Sequence, residues 1–400
     1  MIPPPRSAPD LAAVFFLVLF ADSRAETWHV YPDGSGSAAT INAAVDSAAY
    51  GDTVLVWPGD YYESVDVRSG VSVVGQAGAE QTVIHALGTA RCLDGSELQD
   101  VLIEGLKLTG VHHAGYGSYA YAALSLTGDL EVRDCVVEDH SATYGGMMAG
   151  GDVVVSGTRF ERIEGGTDVP VTAGIHFGEG GSGRTLTVED CEFIDLDFGD
   201  IVHLASGQLV FRNNRLRTSH GFGLTIGDPW YEWPAHAVIE NNLFDQSGDQ
   251  LLDAIVVETS DAISVEICNN SFVRAGQYRA ALGPWVGKNA IIERNTFTGA
   301  DWGLWVCDEC TGAVIRCNDA WGNRLDNWYN LPDLTGVDGN FSEAPRYCDP
   351  EGGEFTLSAS SPLLPWNNDC SELIGAFSQG CAAVSLEPTS WGLIKARYRR

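Results

Sequence analysis

A phrase of eight residues recurs nine times between Val101 and Ala320, and it restricts the fold more severely than any other feature of the chain. It reads VLIEGLKL from Val101, LEVRDCVV from Leu130, VVVSGTRF from Val153, LTVEDCEF from Leu186, LVFRNNRL from Leu209, AVIENNLF from Ala237, VEICNNSF from Val265, AIIERNTF from Ala290 and AVIRCNDA from Ala313. The first, third and eighth positions are apolar in every copy, and the residues between are mostly charged or small. Alternation with a period of two marks a strand with one buried face. Successive copies are 23 to 33 residues apart. That leaves little room for the crossover helix of a doubly wound sheet or an α/β barrel. The spacing fits one coil of a solenoid, so the expected fold class is all-β: a right-handed parallel β-helix with an N-terminal capping helix.

In such a stack, aligned residues of adjacent coils become neighbours about 4.8 Å apart. The sixth position reads Leu106, Cys135, Thr158, Cys191, Asn214, Asn242, Asn270, Asn295 and Asn318. The asparagine run is expected at a corner, where asparagine tolerates left-handed backbone and its amide can bond to the next copy. The outward charges Glu104, Arg133, Glu189, Arg212, Glu240, Glu293 and Arg316 read as a solvated face with pairing between coils. Thr40 is expected to cap a short helix whose stripe of Ile41, Ala44, Val45 and Ala48 covers the first coil.

Residues 1–25 read as a signal peptide: Arg6, the apolar run LAAVFFLVLF from Leu11, and the small residues Ser23 and Ala25. Residues 26–338 are expected to form the β-helix, 339–381 its closing coil or C-terminal cap, and 382–400 a short basic tail. No other stretch is apolar enough to span a bilayer, so the mature chain is expected to lack a transmembrane segment and to be secreted or held at the cell surface. The formal charge of -31 disfavours nucleic acid as a partner, and a monomer is expected. Ten cysteines in an exported chain favour disulfides over thiol chemistry; Cys307 and Cys310 form a lone CDEC unit, which is weak evidence for zinc.

The segment TINAAVDSAAYGDTVLVWPGDYYESV from Thr40 resembles the entry of bacterial right-handed β-helix proteins of the pectin-lyase-like superfamily. RCNDAWGN from Arg316 and FSEAPRYCDPEGGEFTLSASSPLLPWNNDCSELIGAF from Phe341 are similar to the closing coil of that group. The resemblance covers roughly residues 27–381 and speaks for fold rather than activity, because the superfamily hosts lyases, polygalacturonases, esterases, epimerases, tailspikes and proteins with no known reaction. The polygalacturonase motifs are absent: SHGFGLTIGD from Ser219 only echoes the GHG element, with Phe222 where the histidine would fall.

A second strand recurs from Gly174, Asp200, Gly223, Asp253, Ala280 and Gly303. Five residues beyond two consecutive starts stand Asp228 and Glu258, whose carboxylates would then lie about 5 Å apart. That separation suits a retaining glycosidase pair or a shared Ca2+ ion; the plainer alternative is two solvated acids in an acidic protein. His203, His220 and His176 lie on or beside these strands, where a carboxylate could make a histidine a general base; Asp200 is unusual for standing where neighbouring coils carry a small residue. Trp230, Tyr231 and Trp233, extended by Trp285, Trp302 and Trp305, are a candidate sugar-stacking platform, or a loop covering the coil wall. Two functions follow. One is a secreted β-helix that binds an extracellular polysaccharide or cell-surface glycan and cleaves it in a lyase- or glycosidase-like reaction; the other is a non-catalytic scaffold or adhesin.

Overall fold

The computed structural model describes residues 25–87, 91–111, 122–142, 144–165, 172–178, 183–197, 199–217, 220–221, 223–227, 233–245, 250–251, 254–257, 262–273, 280–282, 289–306 and 312–382. The expected parallel β-helix is what these residues form. Each coil contributes up to three short strands, and strands of successive coils pair in parallel to make three walls. The repeated phrase begins on the first wall, as in Thr185–Glu189, Gly207–Arg212, Ala235–Glu240 and Ile263–Cys268. It turns a corner and continues into the second wall, an eleven-stranded sheet that includes Glu192–Ile194, Arg215–Arg217 and Leu243–Asp245. The third wall carries Met147–Gly150, Thr172–Phe177, Asp200–Leu204, Leu224–Ile226 and Ile255–Val257.

The period-two pattern explains the interior. Third-position residues Ile103, Val132, Val155, Val188, Phe211, Ile239, Ile267 and Ile292 are all fully buried in one continuous core. At the eighth position Phe160 stacks on Phe193 with centroids 5.1 Å apart, and Phe272 lies between Phe244 at 4.6 Å and Phe297 at 5.1 Å. Each such contact adds roughly 0.5–1.5 kcal/mol to the burial of the rings. The outward charges pair across coils as expected, in Arg133 with Glu104, Arg212 with Glu189, and Arg316 with Glu293.

The corner differs from expectation in one respect. The left-handed residue is the fifth of the phrase rather than the sixth: Asn213, Asn241, Asn269, Arg294 and Cys317 have φ of 57, 57, 56, 56 and 54°. Asparagine and aspartate tolerate this region best, which accounts for their use at Asp134, Asp190 and the three asparagines. The turn aims the sixth residue inward. Asn242 is fully buried; its Nδ2 donates to Phe211 O at 2.9 Å and Asn270 Oδ1 at 2.9 Å, while its Oδ1 accepts from Asn214 N and Asn214 Nδ2. The pattern continues through Asn295 and Asn318 to Asn340, which lies beyond the last copy of the phrase.

Cysteine usage corrects one expectation. Among the described residues, Cys317–Cys370 and Cys348–Cys381 are disulfides, but Cys92, Cys135, Cys191 and Cys268 are free. Cys135 and Cys191 occupy the corner column, where each thiol points at backbone carbonyls, and burial pushes both thiols up to about 12. They are packing residues in a spaced column, and among the described residues both are free. Cys307 and Cys310 lie outside the described residues.

At the N-terminal end, the helix Ile41–Ser47 begins at Thr40, whose side chain accepts from Ala43 N, and it buries Ile41, Ala44 and Val45. At the other end, Phe341 bridges to Asp319 as the start of a further turn, and the chain then folds back along the outside of the second wall. Asn269 Nδ2 donates to Leu373 O, Gly375 N donates to Arg294 O, and Ala376 N donates to Ser271 Oγ. Phe355 joins Leu243 and Val273 in an apolar cluster. This returning segment contains the antiparallel pair Tyr347–Asp349 and Glu354–Ser358.

Candidate functional site on the third wall

Strand alternation sends Ile175, Val202 and Leu224 inward and the residues between them outward. The outward column runs Ser125, Met148, His176, His203, Thr225 and Val256 in register across successive coils. An outward column should be wet, yet His176 is 7% exposed, His203 2% and Thr225 9%. Its members are also chemically unlike one another, in contrast to the uniform corner.

Asp200 organises the middle of this column. Its Oδ2 lies 2.8 Å from His203 Nδ1, and its Oδ1 accepts from Thr225 Oγ1 at 2.9 Å. A carboxylate oxygen accepts, so the proton of this contact sits on Nδ1 and Nε2 is left as the basic nitrogen. The His203 ring stands 5.1 Å from that of His176, which in turn contacts Tyr144 at 4.5 Å. Burial, reinforced by the neighbouring His203, pushes His176 down to about 3, so it is neutral over the physiological range. The arrangement fixes the orientation of the His203 ring, with the Asp200 carboxyl on its Nδ1 and an uncharged imidazole beside it.

Further along the same wall, Trp302, Trp305 and Tyr329 form a half-exposed aromatic group with centroids 5.2 to 5.4 Å apart. Trp305 pairs in register with Tyr329, while their neighbours Leu304 and Trp328 point into the core. Tyr329 was not anticipated from sequence, although it stands one coil period beyond Trp305. Thr225 and Tyr144 were also missed, because neither residue type signals chemistry without its neighbours.

Of the other candidates, Trp233 is half-buried. His220 lies in the short strand His220–Gly221, paired with Gln250–Leu251. Asp228, Glu258, Trp230, Tyr231 and Trp285 lie outside the described residues. Just before the first two in the chain, Leu224 pairs with Ile255 and Ile226 with Val257, so Gly223 is level with Ala254 rather than Asp253. Gly223 is required by close approach, since a Cβ there would lie 2.0 Å from Ala254 O. Among the described residues, no group of three or more His, Cys, Asp or Glu side chains is placed to hold a metal ion, and no helix is long and apolar enough to cross a membrane.

No protein-family model matches the chain, and no curated protein matches it. Among solved structures it is similar to the PL6 family alginate lyase AlyGC, with 14% identity, a TM-score of 0.43, and coverage of 80% of this chain and 54% of that one. It thus spans about half the length of that lyase. A mannuronic acid specific family 6 lyase from human gut microbiota gives 12% identity and a TM-score of 0.37, covering 82% of this chain and 93% of that one. Pectin methylesterase from carrot gives 12% and 0.30, covering 80% and 88%. The fold assignment rests on the chain's own strand register.

Proposed function

We propose that this chain is an exported β-helix that binds an extracellular polysaccharide along its third wall. The observation that carries the reading is the half-exposed group of Trp302, Trp305 and Tyr329 on one wall. Flat apolar faces with polar tips stack well on sugar rings, and clustered aromatics dominate binding patches. The apolar run from Leu11 and the two disulfides support export. In the catalytic form of this proposal, His203 oriented by Asp200 is the general base of a lyase- or glycosidase-like cleavage, with Asp228 and Glu258 as further acids and Ca2+ as a candidate cofactor.

A second reading, a non-catalytic scaffold, is favoured by the burial of Asp200 and His203, 5% and 2% exposed. A general base must reach substrate. The two readings separate in a depolymerisation and affinity-electrophoresis screen of neutral and acidic polysaccharides, with and without calcium. Retardation of the wild type that is lost in Trp302→Ala/Trp305→Ala supports glycan binding. Product formation lost in His203→Gln, or in Asp228→Ala/Glu258→Ala, supports cleavage. Retardation without product selects the scaffold, and no retardation by any polysaccharide would sink the proposal.

A further inference from the structure

The second wall carries a cleft that the third-wall reading leaves unused. It has a volume of about 470 Å³ and lies between the strands Glu192–Ile194, Arg215–Arg217 and Leu243–Asp245 and the tip of the returning C-terminal hairpin at Glu351, Gly352 and Gly353. The cleft exists because the chain doubles back: Phe355 packs on Leu243 and Val273, and Cys348–Cys381 ties the hairpin to the following strand. Its size falls within the range of small-molecule sites.

The charges lining it are distinctive. In a chain of net charge -31, basic side chains generally find an acid: on this same wall Lys107 joins Glu80 and Glu138, and Arg159 joins Glu80 and Glu161. Among the described arginines, Arg215 and Arg217 are the two that donate to neither a carboxylate nor a carbonyl. They sit two residues apart on one strand, so both point outward, about 6.6 Å apart along it. Glu192 pairs in register with Arg215 without forming an ion pair, and it and Glu351 are exposed acceptors on the cleft wall. Asp245, buried, has a partner of its own. Arg215 lies close enough to Glu354 of the hairpin to help hold its carboxyl below the usual range, and with Glu192, Asp245 and Glu351 on the lining the acids offset the two guanidiniums, so the cleft presents donors and acceptors without a net positive charge. Arginine only donates and a carboxylate only accepts, whereas a sugar hydroxyl does both. Vicinal hydroxyls therefore satisfy both kinds of group at once, over an apolar floor of Leu243 and Phe355.

We infer that this cleft is a second saccharide site, on a different wall from the aromatic group, and that it takes one or two residues of a neutral, hydroxyl-rich sugar. The inference rests on the glycan-binding reading above. Calorimetric titration of the intact chain with cellotetraose, tetragalacturonate and sodium sulfate tests it, using wild type, Arg215→Ala/Arg217→Ala and Trp302→Ala/Trp305→Ala. The expected result is cellotetraose binding at two sites. The arginine variant then keeps only one, with at least a tenfold loss at the other, and the tryptophan variant keeps the cleft. Both arginines are exposed and donate to no carboxylate or carbonyl, so their removal leaves the fold intact, which hydrogen exchange of residues 341–382 verifies. A single site abolished by the tryptophan substitutions and indifferent to the arginines overturns the inference while leaving the glycan reading standing. Sulfate or tetragalacturonate displacing cellotetraose from the cleft would make it an anion site instead. No saccharide binding by any variant overturns both.

Discussion

The corner column and the outward column of the third wall are built on the same repeat, with one residue per coil and neighbours in register, yet they use it in opposite ways. At the corner a single residue type repeats from Asn214 to Asn340, and each amide satisfies those of the adjacent coils. Nothing is left over to recognise a ligand. On the third wall Ser125, Met148, His176, His203 and Thr225 differ coil by coil, and their polar contacts run to particular partners such as Asp200. Uniformity marks the column that the fold needs, and departure from it marks the column that the fold leaves free.

The largest expected effect breaks the corner. In Asn270→Ala, the backbone N–H of Asn242 and its Nδ2 lose their shared acceptor, and Ile239 O loses a donor. A buried group left unpaired costs about 1–3 kcal/mol, so a loss of roughly 4 kcal/mol is expected in urea unfolding, with hydrogen exchange accelerating first in the flanking coils. A loss below about 1 kcal/mol would mean that the ladder is not what holds the corner.

On the third wall, Asp200→Ala strips Thr225 and His203 of a common acceptor in a buried setting. A destabilisation of about 2–3 kcal/mol is expected. An unchanged or raised stability would instead show that Asp200 is kept at a cost to the fold, as functional acids are.

His176 sharpens the contrast through pH, since the corner amides do not titrate. Its folded value is lowered from 6.5 to about 3, so the unfolded chain binds the extra proton between those values. The stability contributed by the neutral ring is therefore complete above about pH 6.5 and is lost as the pH falls toward 3, with a slope approaching about 1.4 kcal/mol per pH unit. His176→Asn is expected to flatten that part of the wild-type profile, and parallel profiles would contradict the assignment.

The smallest effect extends the ladder upward. Cys191 already donates its backbone N–H to Asn214 Oδ1, and its thiol points at Val155 O, where an asparagine amide would donate. Cys191→Asn is expected to add about 1 kcal/mol, read as a rise in urea midpoint.

The corner was legible in the sequence because each residue there answers to a copy of itself, and the period reveals the partner. Even so, the left-handed turn was read one position late, since asparagines stand at both Asn213 and Asn214 and only backbone geometry tells which one bends and which one bonds. The third wall was legible residue by residue but not as a site. His203 and Asp200 were visible as candidates, while Thr225, Tyr144 and Tyr329 acquire meaning only from register. The starts of the recurring third-wall strands shift for a related reason, Gly223 standing level with Ala254 rather than Asp253. The coils differ in length between walls, and the bulge between Thr172 and Ile175 shifts the pairing beside Asp200.

The amino-acid sequence by itself determined the coil: its period, its buried third and eighth positions, its self-bonded amide column and its outward charge pairs. Those features depend on near neighbours that the repeat specifies. The tertiary structure decided which wall covers which side chain, the burial of the Asp200–His203 pair, and the return of residues 341–382 along the second wall to form the Arg215–Arg217 cleft. Each of these joins segments tens of residues apart whose contact no local period encodes.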